Sequence, residues 1–219
     1  MCFSAEVSFG AGAVITTVGV IAFKKADTTA QKFFACIPFF FAIQQFTEGA
    51  LWLTLTDAPD SDLTSWFSHL FLFFAWVIWP TYVPFTMRLL ETNPKRRTVI
   101  TVFLVMGILV SLLHIHHLIF YHIHAQVDGP HIKYLMDYSP QYPWLIGVFY
   151  FIVIVISLFV STAKRMIYLA VMVLATFIVT ISFFQDHQIS VWCFFAAVTS
   201  LMVLWVLVGI KNDAKVKRN

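Results

Sequence analysis

The chain has 219 residues, of which 60% are hydrophobic and 11% are charged, and its mean hydropathy is +0.83. This composition argues against a soluble globular protein and predicts an integral membrane protein. The net charge of +3 is distributed over short polar segments that suit anionic lipid head groups, so we expect no nucleic-acid partner.

Seven apolar stretches are each long enough to cross a hydrocarbon core, which takes about 20 residues in a helix. A transmembrane barrel would instead show alternating segments of about ten residues. The sequence therefore predicts an all-α integral membrane protein, with one seven-helix transmembrane domain over residues 1–219. The predicted transmembrane helices are 7–23, 33–55, 65–87, 98–122, 144–162, 166–184 and 189–210.

The basic residues predict the orientation of these helices. Of the 14 Lys and Arg residues, all except Lys133 lie in the loops after the first, third and fifth helices or in the C-terminal tail. Loops rich in Lys and Arg remain on the cytoplasmic side. The N-terminus is therefore predicted outside and the C-terminus in the cytoplasm. Four tryptophans at the predicted outer boundary agree with this orientation: Trp52, Trp66, Trp144 and Trp192.

The segment before the first helix permits two interpretations. An external N-terminus can fold back into the bundle, where Cys2 would reach the level of the buried polar residues described next. Alternatively, Ser4 or Ser8 caps the first helix, with Glu6 in its first turn.

Glu48 is the most unusual residue of the second helix. A carboxylate in hydrocarbon costs several kcal/mol, so it should face the bundle and be paired, neutral or metal-bound. Gln44 and Gln45 lie one turn earlier, where they offer amide partners, and Trp52 lies one turn later. The alternative to a functional role is a protonated Glu48 in a structural hydrogen-bond network.

The third and fourth helices add histidines at similar depth. In the fourth, His114, His117, Tyr121 and His124 recur at helical spacing and predict one stripe. His69 of the third helix should lie at the depth of His117. Imidazoles arranged in this way suit zinc, copper or iron, although a buried hydrogen-bond network is the alternative. Prolines within helices predict kinks at Pro38, Pro80 and Pro84.

The outer loop 123–143 is long for a connection inside a compact bundle, and such loops are often functional. Its apolar residues predict a short interfacial helix that covers the bundle as a lid; these are Ile132, Tyr134, Leu135 and Met136. Asp186 and His187, in the last outer turn, are expected to close the same site from above.

Two segments carry a resemblance to a known family. The opening MCFSA (residues 1–5) and the QQFTEGALW of residues 44–52 resemble an uncharacterised family of small bacterial integral membrane proteins, which begins with MCFSA and carries QQxxEGxxW in its second helix. The resemblance implies a multi-pass protein of the bacterial inner (plasma) membrane. It adds weight to Cys2 and Glu48 and implies no particular substrate.

These observations lead to a functional hypothesis with two alternatives. In the first, a divalent metal is bound by His69, His114, His117 and Glu48. Zinc is the first choice of metal, ahead of copper or haem iron, and Glu48 serves as a ligand or as a general base. Gln45 orients Glu48. The rest of the binding site is formed by Gln44, Trp52, Cys2 and Tyr121. The protein is then a hydrolase of a lipid or another apolar molecule at the outer leaflet. The alternatives are a proton or metal transporter or ligand sensor, and a haem-binding membrane protein.

Overall fold

The computed structural model describes residues 4–137 and 143–216, and these residues are mostly helical. The first half of the chain forms α1 (Ala5–Lys25), α2 (Thr29–Ala35), α3 (Ile37–Asp57), α4 (Asp62–Leu72), a π-helical segment (Phe73–Ile78), α5 (Trp79–Leu90) and α6 (Pro94–Phe120). The second half forms β1 (Ile123–Asp128), β2 (His131–Met136), α7 (Pro143–Phe151), a π-helical segment (Ile152–Ile156), α8 (Ser157–Phe159), α9 (Met166–Phe183), a 3-10 turn (Gln185–His187), α10 (Gln188–Phe194) and α11 (Ala196–Val216).

Within the described residues, four helices are long and apolar enough to cross a membrane. They are Ala5–Lys25, the continuous segment Asp62–Leu90, Pro94–Phe120 and Met166–Phe183. Two shorter apolar helices cover Trp144–Phe159 and Val198–Asn212. Many of the large apolar side chains on these helices are exposed, as expected where lipid covers them.

The helix ends follow from local sequence. Ser4 caps α1 by accepting a hydrogen bond from the backbone N–H of Val7, so the capping interpretation of Ser4 is confirmed. Asn93 caps α6 in the same way, and Pro94 occupies the first helical position, where no backbone N–H is needed.

Two of the three prolines stand next to a break or a distortion in the helical backbone. The predicted second helix is interrupted at Cys36, and Pro38 then stands in the first turn of α3. The π-helical segment Phe73–Ile78 ends two residues before Pro80, whose missing N–H and bulky ring disturb the preceding turn. Pro84 lies inside α5.

The expectation of an all-α protein is wrong in one region, because residues 123–136 form a two-stranded antiparallel sheet. The interfacial helix predicted around Ile132 is therefore replaced by a β-hairpin. Its strands carry β-branched residues, and Asp128 pairs with His131 across a two-residue Gly-Pro turn. Gly129 has φ +59°, which suits the first position of a type II′ turn, and Pro130 suits the second.

Contacts between distant segments define two ends of the bundle, which we call the basic end and the hairpin end. At the basic end Lys211 Nζ lies 2.9 Å from Asp27 Oδ2. Arg96 Nη1 donates a hydrogen bond of 2.9 Å to the Val160 carbonyl oxygen. At the hairpin end Lys133 Nζ, on β2, lies 3.3 Å from Asp186 Oδ1, in the 3-10 turn. The helix α6 runs from the basic end to the hairpin end.

Candidate functional site

A cavity of about 580 Å³ lies among α3, α5, α6, α7, α9, α10 and α11. Aromatic side chains form much of its wall, chiefly Trp76, Trp79, Trp144, Tyr150 and Trp192. Most of the remaining wall is aliphatic, its polar side chains are His114, His117, Gln188 and Thr199, and its described residues include no Asp, Glu, Lys or Arg. Such a space is of the size and character of a site for an apolar small molecule.

Three of these aromatic residues donate their polar hydrogens to other groups of the protein. The indole N–H of Trp79 donates to Gln44 Oε1 at 3.0 Å, and that of Trp192 donates to Thr176 Oγ1 at 3.3 Å. The Tyr150 hydroxyl donates to the Ala75 carbonyl in the π-helical segment. These three residues therefore offer the cavity mainly the carbon faces of their rings.

His114 and His117 lie on the cavity wall, one turn apart on α6, as their spacing predicts. Both are buried, and their ring centroids are 6.1 Å apart. His114 Nδ1 lies 2.9 Å from the Val110 carbonyl. A carbonyl only accepts, so Nδ1 carries the hydrogen and Nε2 of the neutral ring is the acceptor.

Glu48 lies outside this wall, in a separate polar network. It is fully buried, its Oε1 accepts from Ser190 Oγ at 2.9 Å, and its Oε2 accepts from Gln45 Nε2 at 3.3 Å. Gln45 thus contacts Glu48 as expected, and Gln44 accepts a hydrogen bond from Trp79. Through Gln44 and Ser190, α3 is connected to two elements of the cavity wall, α5 and α10.

The other predicted site residues lie elsewhere. His69 is bonded locally through Nδ1 to the Ser65 carbonyl at 2.7 Å and does not line the cavity. Trp52 is buried against Ala5 and Ile132, and its indole N–H has no hydrogen-bond partner among the described residues. Cys2 lies outside the described residues.

The predicted histidine stripe is shorter than expected. The helix α6 ends at Phe120, and Tyr121 is its C-cap, with its ring 5.7 Å from that of His117. His124 lies in β1 and is not on the helical stripe. The stripe ends because the chain turns into the hairpin after Phe120.

The four predicted metal ligands are not assembled into one site. Across residues 4–137 and 143–216, no group of three or more His, Cys, Asp or Glu side chains is placed to hold a metal ion. Asp186 and His187 do not close over such a site. Instead, His187 Nε2 lies 3.0 Å from Asp128 Oδ2 and Asp186 pairs with Lys133, so both residues tie the 3-10 turn to the hairpin.

The cavity itself was not predicted from the sequence. Its residues Trp76, Tyr150 and Gln188 come from three segments that are far apart in the chain. In a membrane protein an apolar residue suits a lipid-facing surface as well as an internal wall, so hydropathy does not distinguish the two. The indole and phenol groups inside predicted helices were the available signal, because each needs a hydrogen-bond partner when buried.

Residues 1–218 match the family model described as "Family of unknown function (DUF6629)", and the chain belongs to this family. No curated protein matches the chain, and no solved structure matches it.

Proposed function

We propose that this member of a family of unknown function is a membrane-embedded receptor for an apolar molecule, which it binds in the cavity among α3, α5, α6 and α7. The observation that carries the proposal is the cavity of about 580 Å³, whose described wall is largely aromatic and aliphatic and contains no Asp, Glu, Lys or Arg. Burial of apolar surface supplies the binding energy, at about 25 cal/mol per Å² before the costs of ordering.

The connection between the cavity and Glu48 favours a sensor. Helix α10 places Gln188 and Trp192 on the cavity wall, while Ser190 on the same short helix binds Glu48. A ligand that pushes against Trp192 therefore acts on the helix that holds the Glu48 network. This arrangement gives the cavity a physical connection to the buried Glu48 carboxyl, which a simple lipid-filled gap does not need.

We further propose seven transmembrane helices, with the N-terminus outside and the C-terminus in the cytoplasm of a bacterial inner membrane. In support, helical segments cover each of the seven predicted stretches within the described residues. The basic end gathers Lys24, Arg96, Arg165 and Lys211, as a cytoplasmic face requires. The hairpin end then faces outward.

On this topology the β-hairpin replaces the predicted helical lid. Met136 of β2 is part of the cavity wall. The hairpin is also joined to the 3-10 turn before α10 by the pairs Lys133–Asp186 and Asp128–His187. A hydrophobic ligand from the outer leaflet then reaches a site that is covered from above.

The proposal is tested by blocking the cavity. Gly147 of α7 lies on the wall, and a Cβ placed there meets nothing within 4 Å, so Gly147→Phe adds a side chain without an immediate clash. Gly10→Phe on α1 is the matched control, because its Cβ is equally unobstructed and Gly10 is not part of the wall.

The probe is a long-chain alkyl methyl ether with a terminal bromine, and the measurement is quenching of tryptophan fluorescence in phosphatidylcholine nanodiscs. Trp76, Trp79 and Trp192 report directly, because they line the cavity. We expect saturable quenching in the wild type and in Gly10→Phe, and its loss in Gly147→Phe. Equal, non-saturable quenching in all three proteins would contradict the proposed function.

A further inference from the structure

We propose that the ligand of this cavity is a lipid-chain alcohol whose hydroxyl group donates a hydrogen bond to His114 Nε2. The inference rests on the proposed function and names the chemical class that the cavity selects. It concerns one atom of the wall and the group that complements it.

His114 provides an acceptor that the described protein leaves unused. The side chain is 9% exposed and lines the cavity. Its Nδ1–H donates to the Val110 carbonyl, the only hydrogen bond that the described residues give it. A neutral imidazole has one donor and one acceptor, so Nε2 retains its lone pair. Because Nδ1 faces the α6 backbone, Nε2 lies on the ring edge directed away from it.

Neighbouring rings hold this acceptor in place. The His114 ring lies 5.3 Å from the Trp76 ring and 6.2 Å from the Tyr150 ring, measured between centroids. Tyr150 is in turn fixed by its hydrogen bond to Ala75. An acceptor with fixed orientation favours a ligand that places its donor at one point, since little rotamer freedom remains to be lost on binding.

The chemistry of the wall decides among possible ligand ends. A carboxylate has no hydrogen to donate at neutral pH, and both it and an anionic phosphate group would bury a charge without Lys or Arg in the described wall, where the neutral amide of Gln188 does not offset that charge. An ammonium group could donate, but its charge would be buried without an Asp or Glu partner there. A plain hydrocarbon would leave Nε2 unsatisfied. A neutral hydroxyl on an apolar chain meets each of these requirements.

The test compares three probes with identical brominated chains: an alcohol, its methyl ether and the corresponding fatty carboxylate. Their affinities are measured by saturable tryptophan quenching in neutral phosphatidylcholine nanodiscs, at a pH where the acid is ionised. We expect the wild type to bind the alcohol about fivefold more tightly than the ether, as one hydrogen bond to a neutral acceptor predicts. The carboxylate should bind more weakly than the alcohol.

Two substitutions on α6 assign this preference to His114. His114→Phe keeps a ring against Trp76 and removes the acceptor, so the preference for the alcohol should disappear while ether binding remains. His116→Phe is the matched control, because His116 is exposed and is not part of the wall. It should retain the preference.

The outcomes separate this inference from the proposed function. Equal affinity for alcohol and ether in the wild type, or a preference that persists in His114→Phe, overturns the inference. If that equal binding is still blocked by Gly147→Phe, the proposed function stands. If neither probe binds saturably, both proposals fail. The comparison of alcohol with ether in the wild type needs no variant. It therefore tests the preference for an alcohol even if His114→Phe does not fold.

Discussion

Ser190 of α10 donates a hydrogen bond of 2.9 Å to Glu48 Oε1 of α3, across a separation of 142 residues in the chain. Both side chains are fully buried. The bond holds a short helix, one side of which forms cavity wall, against the helix that carries the buried carboxyl group. It therefore links the packing of α10 to the protonation and hydrogen bonding of Glu48.

Ser190→Ala should lower the stability of the protein by about 1–3 kcal/mol, because a buried acceptor loses one of its donors. The measurement is the thermal midpoint of the detergent-purified protein. Ser65→Ala is a suitable control, since Ser65 is an exposed serine of α4. Equal midpoints for the two variants would show that the Ser190 bond adds nothing to stability.

Gly107 of α6 lies against the backbone of α5 at Pro80. A Cβ at this position would overlap the backbone carbonyl oxygen of Pro80, and backbone cannot swing aside as the end of a side chain can. Gly107→Ala should therefore destabilise by about 1–3 kcal/mol, although alanine favours the helix intrinsically. Gly10→Ala, with nothing within 4 Å of its Cβ, should be neutral or stabilising. A Gly107→Ala midpoint at or above the wild-type value would refute the close contact.

Sequence patterns predict the positions of the helices better than they predict which helix faces contact one another. The burial of Glu48 follows from the cost of a polar group in hydrocarbon. The placement of His114 and His117 on one face of α6 follows from their spacing in the sequence. Contact between Glu48 of α3 and the two histidines of α6 cannot be predicted from the sequence. Similar depth along two helices leaves the rotation of each helix about its axis undetermined. The metal hypothesis assumed that contact, and the structure separates Glu48 from the cavity wall.

The hairpin was missed for a different reason. Ile132 and its apolar neighbours were assigned to a helix from composition alone. The alternation of apolar and polar residues over 123–128, followed by the Gly129-Pro130 pair, is the local signal for a β-hairpin. Local turn chemistry outweighed the general expectation that a membrane protein is helical throughout.

Glu91, at the turn between α5 and α6, should make stability depend on pH. Burial alone would raise its pKa, but hydrogen bonds from the Asn93 and Thr162 backbone N–H groups and the Thr162 hydroxyl outweigh burial and lower the pKa below 4.5. The folded protein therefore binds the Glu91 proton less readily than the unfolded chain. Its contribution is complete above pH 4.5 and is lost as the pH falls through the lowered value.

Glu91→Gln tests this linkage, because glutamine keeps the shape and offers one acceptor oxygen in place of two. At neutral pH the variant should melt below the wild type, and the gap should close as the pH falls below 4.5. Asp60→Asn, at an exposed position in the turn between α3 and α4, controls for the loss of one negative charge. A gap that is constant over the whole pH range would show that the ionised Glu91 contributes no stability.

Metal content provides the last prediction. His114 and His117 supply two imidazoles, whereas a structural zinc site normally takes four ligands and a catalytic one three. We therefore expect the purified protein to hold less than one equivalent of zinc, copper or iron, and to show no haem band. Elemental analysis and a visible spectrum of the wild type and of the His114→Ala/His117→Ala double variant measure this directly. About one metal ion per chain that disappears in the double variant would mean that residues outside the described ranges complete the site, and it would restore the hydrolase hypothesis.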